Sequence, residues 1–220
     1  MNSSIRSTMR YFAALLIGLL PFASALAQYN QKGRIHLSIG GSAGAHSTEL
    51  KYSLFGFKGT DTDGAVTTSV PIQIAGAISN RFTLGFLIEP GRYVPDSASD
   101  QTNGFINVAL EPRLYLINGE RIAWTASAQL GGVALHIVDD TPGAKVDARY
   151  SGGAFGLGSG FAFGIGDHVG IGFDLRYLVT NLELRAMEYN DASVTDFYSA
   201  KLRTAGLIAQ LSLAFRFGGS

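Results

Sequence analysis

Alternation with a period of two runs through nearly the whole chain beyond residue 33, and no other feature constrains the fold as tightly. Apolar residues take every second position through residues 35–39, 66–78, 82–88, 106–116, 122–130, 155–165, 169–179 and 207–217, with small or polar residues between them. Successive side chains of an extended chain point to opposite faces, so each stretch predicts a strand with one apolar face. The breaks are of two kinds. Ser79-Asn80-Arg81, Asn118-Gly119 and Gly166-Asp167-His168 are turn-sized, and Asn-Gly tolerates the positive φ of a type I′ hairpin. Residues 46–64, 94–103, 137–150 and 185–199 read as long loops. The two kinds alternate, so all long loops emerge at one end. The expected fold is all-β: an eight-stranded antiparallel up-and-down transmembrane β-barrel. Pro112 falls on the apolar phase of the fourth strand and calls for a bulge or an unpaired amide, because proline has no N–H to give the ladder.

No segment approaches the roughly 18 to 20 uninterrupted apolar residues of a membrane helix, so any crossing falls to strands. The one compact apolar run, residues 11–20, follows Arg6 and Arg10 and leads through Pro21 to Ala25-Leu26-Ala27, the three-part layout of a secretory signal. Cleavage after Ala27 divides the chain into a signal peptide, residues 1–27, and a barrel domain, residues 28–220, of 193 residues. The signal takes two arginines with it, and the exported part then carries 15 basic and 17 acidic residues, a balance that argues against nucleic acid as a partner. The chain has no cysteine, which excludes a lipid-anchored Cys and any disulfide. Stability must come from packing and closed hydrogen bonding. Most of the 28 glycines lie inside strand-like runs. Glycine weakens a strand unless the sheet bends sharply or a neighbour needs its space, and a narrow barrel sets both conditions.

Two barrels satisfy such a pattern, a soluble one with the apolar face inside and a membrane one with it outside. Residue size decides between them. Phe155, Phe161 and Phe163 on the sixth strand and Phe173 and Tyr177 on the seventh would overfill an eight-strand lumen, whereas Gly, Ala, Ser and a few charges on the opposite faces fit. The apolar face is therefore predicted to meet lipid. Phe82, Trp124, Phe163, Phe215 and Phe217 stand near the short turns, where a periplasmic aromatic girdle is expected.

The signal, the eight alternating strands and the closing Ala209-Gln210-Leu211-Ser212-Leu213-Ala214-Phe215-Arg216-Phe217 resemble the small outer-membrane barrels of the OmpA transmembrane-domain and OmpX type. The resemblance covers nearly the whole exported chain. It implies a place in the outer membrane of a Gram-negative-type cell, contact with outer-membrane lipid and lipopolysaccharide, and assembly by the outer-membrane insertion machinery. The last strand in that superfamily usually ends on a carboxyl-terminal aromatic residue, whereas here Gly218-Gly219-Ser220 follow Phe217.

The inward phase carries Glu89, Glu111, Arg113, Asp174, Arg176 and Arg216. Buried charges need partners, so these six are expected to make up a lumen ion-pair network. The fourth and seventh strands lie three apart in an eight-strand ring, so Glu111, Arg113, Asp174 and Arg176 are expected to form one ion-pair network at mid-height. The all-small inner face of the sixth strand leaves room for long neighbours such as Arg176. His36-x-Ser38 also lies on the inward phase, and the resemblance to lipid A deacylase barrels is confined to that fragment. Such a hydrolase needs a carboxylate beside His and Ser and should present the triad to lipid. No catalytic residue, cofactor or metal site is indicated, since His46, His136 and His168 lack ligand spacing. The four loop segments hold 11 of the 17 acids and only five Lys or Arg, so the external rim is expected to be acidic. Asp61-x-Asp63-Gly64 and Asp139-Asp140 suit divalent ions bridging lipopolysaccharide, and they suit ordinary turns as well. Three functions stay open. The first is a non-enzymatic barrel serving envelope integrity or binding an extracellular ligand through its loops. The second is a narrow porin-like conduit for small solutes, and the third a lipid A-modifying enzyme.

Overall fold

The computed structural model describes residues 28–98, 102–141, 144–190, 192–195 and 198–218. The predicted signal peptide, residues 1–27, lies outside the described residues, as do Gly219 and Ser220. The strands are β1 (Ile35–Leu54), β2 (Phe57–Ser69), β3 (Ile72–Ser79), β4 (Phe82–Pro95), β5 (Thr102–Asn118), β6 (Ile122–Thr141), β7 (Ala144–Gly164), β8 (Val169–Tyr189), β9 (Ala192–Ser193) and β10 (Tyr198–Phe217). β2 and β3 are one stave of the wall, interrupted at Val70 and Pro71, and β9 only extends the hairpin after β8. Each stave pairs antiparallel with the next, and β10 closes on β1 from Ile35↔Phe217 to Leu54↔Tyr198. The result is an eight-stave ring with no free edge along the wall.

The prolines are absorbed without slippage. Ser42↔Ser69 and Ile39↔Ile72 keep one register on either side of Pro71, so that residue deletes a ladder bond and nothing more. The ladder from β5 to β6 skips Glu111 and Pro112 and resumes at Arg113↔Ser127, with a register shift further on between Tyr115 and Ile117.

At the end away from the short turns the structure corrects the sequence reading. Residues 46–64, 137–150 and 185–199, expected as long loops, are largely strand. β1 runs to Leu54 and turns through Phe55 and Gly56, both at positive φ, straight into β2, while β6 reaches Thr141 and β8 reaches Tyr189. Of the fourth segment, 94–103, a single 3-10 turn at Asp96–Ala98 is described between strands. The cause is physical. Once the wall rises above lipid its outer face turns polar, so hydrophobicity stops alternating while the pleat continues.

Outward-facing Ile, Leu, Val and Phe side chains, including Leu37, Phe86, Leu130, Phe161, Leu175 and Leu213, make a continuous belt next to the short turns. Around a protein in water it would be an apolar surface far larger than monomers expose. A bilayer resolves this, because the closed ring pairs its wall strands with one another and leaves no open edge to the lipid. Among the described residues no helix is long and apolar enough to cross a membrane; the apolar belt lies on the strands. Beyond the belt the wall carries Glu49, Lys51, Arg92, His136, Arg149, Glu183, Arg185, Lys201 and Arg203 and projects outward from the bilayer.

Candidate functional site

The lumen is built in three layers. At the short-turn end it is stoppered by the segment before β1, which sequence reasoning missed. Tyr29 and Asn30 are fully buried there. Tyr29 N–H donates to the Gly119 carbonyl at 2.8 Å, and Asn30 N–H donates to Asn118 Oδ1 at 2.8 Å. Asn30 Nδ2 donates to the carbonyls of Ser79 and Asn80 at 3.0 and 3.1 Å, and Asn118 Nδ2 donates back to the Asn30 carbonyl at 2.8 Å. One asparagine thus ties the segment to both neighbouring short turns. Tyr29 packs against Tyr115, Ala123 and Ala162.

Arg216 belongs to this layer. Its guanidinium lies 4.2 Å from the centre of the Tyr29 ring and donates to the carbonyls of Gly166 and Val169. The sequence placed it among the charge pairs, but at the turn between β7 and β8 open carbonyls serve it in place of a carboxylate. His36 is also committed to the stopper. Its Nε2 donates to Asn30 Oδ1 at 2.8 Å, since an amide oxygen only accepts. The Ser38 hydroxyl turns instead to Gln73 Oε1 at 3.5 Å, so no base addresses it.

The second layer holds the charges. Arg113 Nη2 meets Glu111 Oε1 at 2.8 Å and Asp174 Oδ1 at 3.4 Å, and Gln73 Nε2 adds a bond to Glu111 at 2.9 Å. Above them the Glu89 carboxylate accepts from Ser69 at 2.7 Å, from Ser42 at 3.1 Å and from Asn107 Nδ2 at 3.1 Å. It also pairs with Arg176. β4 and β8 stand on opposite sides of the ring, so this ion pair crosses the whole lumen. Here the pairing departs from the single network expected of Glu111, Arg113, Asp174 and Arg176. Asp174 is already taken by Arg113, and Glu89, 1% exposed, offers Arg176 the deeper carboxylate, one with no other cation within ion-pair distance among the described residues. The small inner face of β7 makes space for these arms: a Cβ at Gly160 would overlap the Asp174 carboxylate, and one at Gly158 would press on the Arg176 Cβ.

The third layer, toward the outside, is apolar, and this too was missed. Tyr93, Val133, Leu135, Tyr150, Leu178, Leu182, Leu202 and Ile208 turn inward and pack together within the ring. A cavity of about 40 Å³ lies among Tyr93, Leu135, Leu178, Leu182 and Ile208, over a polar floor of His46, Thr67 and Glu89. The floor is bonded: His46 Nε2 meets Thr67 Oγ1 at 2.9 Å. Tyr93 also borders a wider mouth of about 490 Å³, lined by Leu50, Ile137, Tyr150 and Leu202 with Asp61 and Asp63 at its rim. The Tyr93 hydroxyl is anchored to Thr48 Oγ1 at 3.0 Å. At the rim, hydrogen bonds from Ser97 hold the Asp63 carboxyl below the usual carboxylate range. Among the described residues no three His, Asp or Glu side chains converge to hold a metal.

On the outer face, Phe82, Trp124, Phe163, Phe215 and Phe217 all occupy the outward phase near the short turns. Trp124 stacks on Phe161 at 6.0 Å between ring centres, and its Nε1 donates to Ser159 Oγ at 2.8 Å.

No protein-family model and no curated protein matches the sequence. Solved structures do match the fold. The outer membrane protein OprG from Pseudomonas aeruginosa is 10% identical with a TM-score of 0.59, the match covering 86% of this chain and 98% of that one. The outer membrane protein AlkL, determined by solid-state NMR in DMPC bilayers, is 16% identical with a TM-score of 0.55, covering 88% of this chain and 94% of that one. The fold is that of a small outer-membrane barrel. With its lipid-facing belt, the chain is an outer-membrane protein.

Proposed function

We propose that the protein is a non-enzymatic, non-conducting barrel that receives slender apolar molecules in the outer half of its lumen. The observation that carries this reading is the change of lining at mid-height. Below it, an ion moving along the axis would have to part Glu89 from Arg176 and then displace the Tyr29–Asn30 stopper. Above it, inward Leu, Ile, Val and Tyr side chains open upward through the Tyr93 region to the mouth. Sites for drug-sized ligands occupy about 300 to 1,000 Å³. The mouth is of that size, and the 40 Å³ cavity beneath it accepts only the end of a narrow chain. A second reading, binding of an external partner by the rim, rests on Phe55 and Phe57, 70% and 81% exposed at the tip of the β1–β2 hairpin.

Methyl NMR of the bilayer-embedded protein titrated with octane tests the first reading. Saturable shifts are expected at Leu178, Leu182 and Ile208, against a linear partitioning response at lipid-facing Leu175. Planar-bilayer recordings should stay silent. Steady conductance, or lumen methyls that respond no differently from Leu175, would refute it.

A further inference from the structure

The cations of the projecting wall turn away from its mouth. Arg92, Arg149, Lys201 and Arg203 are exposed on the outer side, whereas Asp61 and Asp63 share the inward phase of β2 with Ala65 and Thr67. The mouth of about 490 Å³ is bordered by both aspartates and by Tyr93 and Tyr150, with Leu50, Ile137 and Leu202 between them, and no Lys or Arg lines it among the described residues. Its lining is therefore apolar and aromatic below and anionic above.

A second, independent feature stands at the base of the mouth. Asn103 is 1% exposed and lies between Tyr93 and Ile137 in the β4–β5 and β5–β6 ladders, and both of those residues line the mouth. Residues directly opposite across a ladder share a face, so the Asn103 side chain turns into the lumen with theirs. Neither end of its amide has a hydrogen-bond partner among the described residues. A buried polar group left without a partner costs free energy, and an occupant of the mouth that hydrogen-bonds to it recovers that cost. From Thr67 on the cavity floor, Asp63 and Asp61 stand four and six residues outward on β2, about 13 and 20 Å along the strand. A medium-length alkyl chain spans that interval from floor to carboxylates.

We propose that the mouth selects alkyl chains ending in an ammonium group, the head held among Asp61, Asp63 and the tyrosine rings and the tail in the apolar layer below. This deepens, and rests on, the reading of the lumen as a receiver of slender apolar molecules. An ammonium has three donors and no acceptor, which suits two carboxylates and the Asn103 amide oxygen. The negative faces of Tyr93 and Tyr150 favour the same charge. An alkanol brings no charge to these groups, and a fatty carboxylate meets its own sign.

The test is a titration of the protein in zwitterionic bilayers, at neutral pH, with octylamine, 1-octanol and octanoate, followed through the Ile137 and Leu202 methyls with lipid-facing Leu175 as the partitioning reference. Octylamine is expected to bind about tenfold more tightly than 1-octanol, and octanoate more weakly than either. Asp61→Asn combined with Asp63→Asn should bring octylamine to the level of 1-octanol while the response of Leu178 to octane is unchanged. Because Asp63 also holds Ser97, Asp61→Asn alone, at an exposed position, should move octylamine in the same direction without touching that bond. Equal affinity for amine and alcohol, or an octylamine affinity that survives both substitutions, would overturn this assignment alone if octane still saturates. If octane does not saturate either, the lumen reading beneath it falls as well.

Discussion

Glu89 and Arg176 span the lumen from opposite walls, but the two ends are not equivalent. Glu89→Ala strips the guanidinium of its acceptor, and its Nε and Nη1 already have no hydrogen-bond partner among the described residues. Arg176→Ala leaves a carboxylate that Ser42, Ser69 and Asn107 still serve. Breaking a buried pair costs about 3 to 5 kcal/mol, and the cost rises with how completely the survivor is orphaned. Glu89→Ala is therefore expected near the top of that range, about 5 kcal/mol, and Arg176→Ala near the bottom, about 3 kcal/mol. The double variant should cost less than Glu89→Ala alone, because no charge is left uncompensated. Reversible urea unfolding from lipid vesicles measures all three, read by fluorescence of Trp124, the only tryptophan of the chain. The reasoning fails if Arg176→Ala is as costly as Glu89→Ala, or if the two losses simply add.

In the same assay Arg113→Ala should couple to Asp174→Ala by about 0.5 to 3 kcal/mol, whereas the exposed Lys58→Ala should stay within about 0.5 kcal/mol of the parent; independent effects at Arg113 and Asp174 would contradict the contact. Leu175→Arg, in the middle of the belt, is expected to cost about 2 to 4 kcal/mol and Ser47→Arg, at its outer edge, about 0 to 1 kcal/mol. Equal penalties would mean that the belt is misplaced. Amino-terminal sequencing of protein from outer membranes should read Gln-Tyr-Asn, and Asn30→Ala should destabilise by about 1 to 3 kcal/mol through the polar groups it orphans. A retained signal would refute the first expectation, and an unchanged unfolding midpoint the second.

The wall was legible because lipid imposes a two-residue code on it. Phe161, Phe173 and Leu213 could face only hydrocarbon, and their phase fixed the phase of Asp174 and Arg176. The code fails where hydrocarbon ends. Beyond Arg176 toward the mouth, Leu178, Leu182 and Leu184 sit on the same inward phase, and these inward leucines were the available signal of an apolar chamber. They went unread because polar lumens are the expectation for such barrels. Arg176 is buried within the ring, and its partner depended on arm length and on prior claims upon Asp174, which strand pattern does not encode. Tyr29 and Asn30 carry no periodicity at all. Their role comes from turns some fifty and ninety residues away, through the backbone carbonyls of Ser79 and Gly119 and the side-chain amide of Asn118.

Those two residues also bear on the order in which the molecule is finished. Tyr29 and Asn30 precede every stave, yet their partners at Ser79, Asn80, Asn118 and Gly119 belong to hairpins made much later in the chain. They have nowhere to go until those hairpins stand side by side. Early in the sequence of the barrel, they can settle only after those later hairpins are in place, and their settling registers that this flank is complete. An affinity tag fused directly ahead of Gln28 would hang at that threshold and burden the final step, whereas one inserted at the Phe55–Gly56 tip would leave it untouched.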